Sequence, residues 1–362
     1  MNKNDLLPGV LGRRVPESDG LIIDMFAGPG GWSEGLRLAG RQDFGIEHDP
    51  SACDTRYAAG HATWLADLRT VDPLMFGRLG VEGLIASPPC QSFSAAGNRA
   101  GLEDPRGELV WLPMMWVSAL QPDWVALEQV PEVLPIWRQT AQVIEQYGYR
   151  TWTGILNAAD YGVPQTRRRA ILLARLDDPI TPPEPTHAEV AEPESMFGPG
   201  RKRWVTMAEA LGWTDGRTFD LCTQRDQRPD GSRQIVTSDR PAPALDTQGG
   251  KMSWLPSWPW TQPATTIAGD PRITVRCHHD EGSQGRDART TEQVRAGDYE
   301  GTEPIKLTLV EALTLQGFRA DYPLAGNKGK RFEQVGNAIP PPLAAVLLRQ
   351  LLTAQSDESG AS

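Results

Sequence analysis

Three stretches of the 362-residue chain gather residue types that do chemistry. In SPPCQSFS, residues 87–94, two prolines stand directly before Cys90 and follow the apolar run GLIAS. A thiol is thereby presented on a stiffened loop where a strand ends. A cysteine taken at random is more often a small buried hydrophobe than a nucleophile, but the polar, proline-rich flanks here favour the reactive reading. In WVALEQVPE, Glu128 ends a second apolar run that can lie beside the one feeding Cys90. Its carboxyl can act there as a hydrogen-bond or proton donor; a helix cap or a surface charge is the plainer alternative. The third stretch, IIDMFAGPGGWSEGLRLAG, sets Gly28, Gly30 and Gly31 between a strand and an amphipathic helix. Such a backbone can close on a ligand and turn a helix N-terminus toward it. Glu47 follows about 20 residues after Gly28, where a carboxylate accepts the hydroxyls of a ribose. Asp67, in LADL, adds a contact to a base edge. Taken alone, the glycine pattern is equally well read as a tight turn followed by a surface glutamate.

These residues need a frame. Short apolar runs at 21–24, 43–46, 83–87, 124–128 and 170–174 alternate with helical patterns such as ELVWLPMMWVSAL and WRQTAQVIEQYG. Strand and helix in alternation predict an α/β fold, a mostly parallel sheet with helices on both faces and ligands at the carboxyl ends of its strands. From about residue 177 prolines crowd the chain and helical periodicity fades, which predicts a second unit over 177–304. Within it RPAPALDT (240–247) and QPATTIAG (262–269) look like two copies of one extended element. KLTLVEALTLQGF and PPPLAAVLLRQLL restore helical periodicity after about 305, and this segment is expected to pack back onto residues 1–176. The ends, 1–18 and 355–362, are polar and expected to fray.

Composition narrows the class. Hydrophobic residues at 39% and charged residues at 23% describe an ordinary globular protein. No run of roughly 18 apolar residues predicts a membrane span, and the start lacks a secretory pattern, so an intracellular setting is expected. Thirty-six Lys and Arg against 46 Asp and Glu leave a net charge of -10, the wrong global sign for a polyanionic partner. Local clusters can overrule that sum, because screening acts over about 8 Å. The clusters are Arg167 to Arg169, Arg201 to Arg203, and Arg225, Arg228, Arg233 and Arg240. Cys53, Cys90, Cys222 and Cys277 show no spacing of a disulfide framework or zinc ribbon. Cys277, His278 and His279 adjoin, but neighbouring ligands point apart, and no metal is expected. Trp254, Trp258 and Trp260 are read as core of the second unit rather than a stacking platform for bases.

DMFAGPGG, the acid of IEHD, LADL, SPPCQSFS, ALEQV, QTRRR, KLTLVEALTLQGF and QVGNAIPPPLA occur in the order found in DNA cytosine-5 methyltransferases. The chain closely resembles that family, in its prokaryotic or phage form, over residues 21–175 and 305–350. The resemblance implies a Rossmann-like domain binding S-adenosyl-L-methionine (1–176 plus 305–362) and a smaller, mainly irregular or β target recognition domain (177–304). It implies Cys90 as the nucleophile toward carbon 6 of a flipped cytosine, Glu128 at ring nitrogen 3, and Arg167 and Arg169 facing the base and its backbone. Arg168 falls on the opposite side if the stretch is extended. For the cofactor it implies Phe26, Gly28, Gly30, Glu47, His48, Asp67 at the adenine amino group, Leu68, and Asn337 near the methionine end. Gln91, Ser94 and Gln165 are expected at the DNA, with Arg225, Arg228, Arg233 and Arg240 reading bases or holding phosphates. The implied partner is double-stranded DNA; a monomer in the cytoplasm of a bacterium, or encoded by its phage, is expected, with a cognate restriction endonuclease as a candidate companion. Two positions depart from the family: Gln129 stands where Asn is usual, and His48 where an aromatic often stacks on adenine. The same chemistry on RNA, or a DNA-binding regulator without catalysis, are the alternatives. An oxidoreductase would account for the glycine loop but not for SPPCQS or QVGNAIPP.

Overall fold

The computed structural model describes residues 20–89, 105–176, 178–194, 199–212, 218–220, 257–259, 264–265 and 307–352. Expectations for Cys90, Gln91, Ser94, Arg225, Arg228, Arg233, Arg240, Trp254, Trp260 and residues 277–279 lie outside them.

Five strands run parallel: β1 (Leu21–Met25), β2 (Phe44–Glu47), β3 (Ala62–Leu65), β4 (Val81–Ala86) and β5 (Trp124–Gln129), in spatial order β3-β2-β1-β4-β5. β6 (Tyr149–Asn157) closes the far edge, separated from β5 by β8 (Arg168–Leu176), which is antiparallel to both. β7 (Gln165–Thr166) is a short strand before β8. The mostly parallel sheet expected from the sequence is present, with one reversed strand. β8 reverses because too few residues separate it from β6 for a crossover helix, so the chain doubles straight back.

The central strands are mostly apolar because both faces are covered, with Asp24 of β1 and Glu82 of β4 buried among their hydrophobic residues. Leu21, Ile23 and Met25 join one cluster with Phe44, Leu84, Val125, Leu127 and Trp137, whereas Ile22, Ile85, Ala126 and Ile171 join another with Trp32, Leu36, Leu343 and Leu347. The second cluster needs both ends of the chain. Helix α1 (Gly31–Leu38) packs against α8 (Pro341–Leu352) so closely that a Cβ on Gly35 would come within 2.6 Å of the Ala344 methyl. The C-terminal segment thus packs back as expected. Each large aliphatic side chain buried there contributes about 1.5–3 kcal/mol.

Helix starts follow local chemistry. Asp49 caps α2 (Pro50–Ala59) by accepting the Ser51 N–H, with Pro50 at the first helical position. α3 (Leu112–Leu120) and α4 (Leu134–Ile144) lie against the first cluster. Thr206 with Glu209 and Thr308 with Glu311 form capping boxes at α5 (Met207–Leu211) and α6 (Leu309–Gln316). Met207 shares a small core with Leu307, Leu313, Phe318 and, from α7 (Lys328–Asn337), Phe332 and Val335. Ala264–Thr265, inside the expected extended element, pairs in parallel with β7, and Thr218–Asp220 pairs antiparallel with Ser257–Pro259. Among the described residues no helix is long and apolar enough to cross a membrane.

Candidate active site

The carboxyl ends of the five parallel strands share one edge, where such sheets take their ligands. Beyond β1, Phe26 has a φ of 57°, a left-handed conformation that a bulky side chain rarely adopts. Gly30, at φ 101°, caps α1, and a Cβ there would stand 2.8 Å from the Tyr322 hydroxyl, itself bonded to the Pro29 carbonyl. Only glycine satisfies both the backbone and the space. Glu47 ties this loop to the end of β2. Its Oε2 accepts the Gly28 N–H at 2.7 Å, and its Oε1 accepts the His48 and Asp49 N–H groups at 2.8 Å each, with His48 Nδ1 at 2.9 Å. Burial works against ionisation, but hydrogen bonds from the His48 ring and from the Asp49 and Gly28 amides outweigh it, and the Glu47 pKa is lowered. Oε2 keeps acceptor capacity for a further donor.

His48 projects into solvent, and its bond to Glu47 raises its pKa. The Asp67 carboxylate is bound by Arg69, whose hydrogen bonds lower its pKa to about 2, and Leu68 is buried beside it. Asn337, exposed at the end of α7, stands two residues before Ile339, whose carbonyl abuts Gly31. Glu47 thus joins the glycine loop of β1 to the end of β2, and the segment after α7 meets the start of α1 at Gly31.

The second group centres on Glu128, which is 3% exposed. Its Oε1 lies 2.8 Å from Arg169 Nε, and its Oε2 accepts the Ser87 hydroxyl at 2.8 Å. Ser87 in turn accepts the Trp32 indole N–H at 2.9 Å. Strand register explains the ion pair: Glu128 lies opposite Ile171, and Arg169 is two residues along the same face of β8. Gln129 donates its amide to the Pro88 carbonyl. The backbone leading to Cys90 is held at two successive residues, Ser87 and Pro88. Ser87 and Trp32 carry no motif of their own in the sequence; a hydroxyl directly after the apolar run GLIA is the signal for the first, and Trp32 has none.

Alternation along QTRRR is seen: Arg167 and Arg169 are buried and Arg168 is exposed. Arg167 donates to the Gly336 carbonyl at 2.9 Å. Gln165 is 0% exposed, and its amide bonds to the Leu315 carbonyl and Gln316 Oε1. Gln316 passes the link on to the Ala338 carbonyl at 2.6 Å. Three stretches far apart in sequence are thus joined behind the site.

Parallel strands ending in a glycine loop, with one reversed strand next to the edge, define a Rossmann-like methyltransferase fold. The prophage-encoded putative DNA modification methyltransferase of E. coli superposes with a TM-score of 0.58 at 19% identity, covering 92% of this chain and 99% of that one. S. pombe Dnmt2 methyltransferase gives 0.59 at 18%, covering 93% and 100%. The model of the C-5 cytosine-specific DNA methylases matches residues 21–353. Type II methyltransferase M1.HphI of Haemophilus parahaemolyticus is 30% identical over 354 residues, 93% of this chain and 87% of the relative. Type II methyltransferase M.AquIA of Picosynechococcus is 32% identical over 215 residues, 52% and 87%. The chain belongs to the C-5 cytosine-specific DNA methylase family and is a DNA cytosine-5 methyltransferase.

Proposed function

We propose that the sheet edge methylates a flipped cytosine through a covalent adduct with Cys90. The Cys90 thiolate bonds to carbon 6, and the displaced electron pair moves toward ring nitrogen 3. Glu128, sharing a proton with that nitrogen, stabilises the developing charge, and Arg169 fixes the carboxyl. Carbon 5 becomes nucleophilic as a result; loss of its proton after methylation expels the thiolate and leaves 5-methylcytosine. S-adenosyl-L-methionine, whose use the family implies, would supply the methyl group as an electrophile. The residues fit it: Glu47 retains an acceptor for a ribose hydroxyl, the α1 N-terminus suits a carboxylate, and His48, Leu68 and Asp67 offer a surface and an acceptor for adenine, with Phe26, Gly28, Gly30 and Asn337 completing the cradle.

A stacked base cannot reach buried Glu128, so the cytosine must leave the duplex. Double-stranded DNA is the substrate we assign, read by residues 177–304 as a recognition domain with Arg225, Arg228, Arg233 and Arg240 as base or phosphate contacts and Gln91 and Ser94 at the target strand. A monomer acting beside a cognate restriction endonuclease fits the Type II relatives. The observation that carries the reading is Glu128, buried between Arg169 and Ser87 while its neighbour Gln129 holds Pro88. The test is methyl transfer from labelled cofactor to DNA and to RNA, with bisulfite sequencing of the product. Cys90→Ser should lose methylation and keep cofactor and DNA binding, since a hydroxyl ionises far less than a thiol of pKa about 8.5. DNA carrying 5-fluorocytosine should trap the native chain covalently and not the variant. Normal turnover by Cys90→Ser overturns the mechanism, and transfer to RNA alone overturns the substrate.

A further inference from the structure

Beneath the glycine loop lies a charged side chain that the chemistry above does not use. Arg56 follows Ala52 and Cys53 at helical spacing on the inner face of α2, and its side chain is 0% exposed. All of its N–H groups are engaged. Nε donates to Thr63 Oγ1 at 3.0 Å, Nη1 to Ser33 Oγ at 2.6 Å and the Ala27 carbonyl at 3.4 Å, and Nη2 to Asp43 Oδ2 at 2.7 Å and the Ala62 carbonyl at 3.3 Å. Ser33 also donates to Asp43 Oδ2 at 2.9 Å. The guanidinium lies against β2 at Gly45, where any Cβ would overlap it. Asp24, wholly buried in β1, stands 3.6 Å from Nη1 with neither oxygen hydrogen-bonded. Burial first, then the neighbouring Asp43, holds the Asp24 pKa well above its usual value, with Arg56 opposing.

For stability alone this is a poor arrangement, because well-packed apolar residues commonly do as well as a buried ion pair. What a planar fork supplies is direction. Ala27 precedes the glycine cluster and Ser33 follows it, one turn into α1, so Arg56 fixes both flanks of the loop relative to β2, the strand that carries Glu47. We propose that Arg56, seated against Gly45, is a positioning residue that presets the glycine loop for the cofactor. The proposal rests on the reading of that loop as the S-adenosyl-L-methionine site.

Three variants of the full chain test it. Arg56→Lys keeps the charge but not the fork, Gly45→Ala pushes the fork out of its slot, and Ser33→Ala cuts the link to α1 alone. Arg56→Lys and Gly45→Ala should raise the Kd and KM for S-adenosyl-L-methionine about tenfold, and Ser33→Ala about threefold, with DNA affinity unchanged and kcat at saturating cofactor within about threefold of native. Should Arg56→Lys not fold, the other two variants still decide. A generally loosened fold would instead weaken DNA and cofactor alike, and that result, or native cofactor affinity in the folded variants, overturns the proposal. Glu47→Gln is measured alongside. If it loses cofactor affinity while the Arg56, Gly45 and Ser33 variants do not, the positioning role alone falls; if it too binds normally, the reading of the loop falls and takes the proposal with it.

Discussion

Glu128 and Gln129 are neighbours in β5 with different tasks. Glu128 meets Arg169 and Ser87, where we propose that the base reacts, whereas Gln129 turns to the Pro88 carbonyl. Gln129→Asn should therefore lower the methylation rate by less than tenfold, under about 1.4 kcal/mol, because it only shortens a tether. Glu128→Gln should cost at least about a hundredfold in kcat with little change in KM, since a group acting only in the transition state is lost. Single-turnover rates on one duplex check both, and the opposite order would show that the tasks are exchanged. The types and spacing of these residues were legible in the sequence, as was the face of Arg168. The burial of Gln165 was not: a motif names a side chain, but which way it turns depends on Leu315 and Gln316, some 150 residues away. Arg56 left a readable trace, a charge at helical spacing on the apolar face of α2.

Between elements, the join of β7, α6 and the end of α7 runs through buried side chains rather than sheet pairing. Gln316 is 0% exposed and connects Gln165 to the Ala338 carbonyl. Gln316→Leu leaves both partners buried without it, which should lower stability by about 1–3 kcal/mol. Urea titration should show a lower midpoint with an unchanged slope, and a native midpoint would mean that the link is dispensable. The sequence revealed β1, β2, β4, β5 and β8 as apolar runs but not β6, whose YRTWTGILN is mostly half-buried at the sheet edge and carries a glycine, so that neither alternation nor a solid apolar run marks it. The direction of β8 was also hidden, since an apolar run says that a strand is buried and nothing about which way it points.

At the scale of the molecule, the proposed division gives sequence choice to residues 177–304 and chemistry to the rest. Exchanging that segment for the one from a relative with another target should carry the relative's specificity across, because arginine contacts to guanine edges discriminate by about 1–3 kcal/mol each. Bisulfite sequencing reads the outcome, and continued methylation of the original site would refute the division. The two units are not sealed from each other: Met207 lies in the same small core as Phe318 and Phe332, and Ala264–Thr265 borders β7. Composition marked where texture changes but could not reveal such contacts, which depend on partners from both sides. The packing of α1 on α8 also sets an order of events during synthesis. α1 leaves the ribosome early, yet the helix that covers it begins about 300 residues later, roughly 15–60 s at 5–20 residues per second. Until then Trp32 and Leu36 have no lid, and the Trp32 indole that steadies Ser87 has no fixed seat. The face of the sheet that seats Trp32 and Leu36 is therefore finished only once α8 has been made.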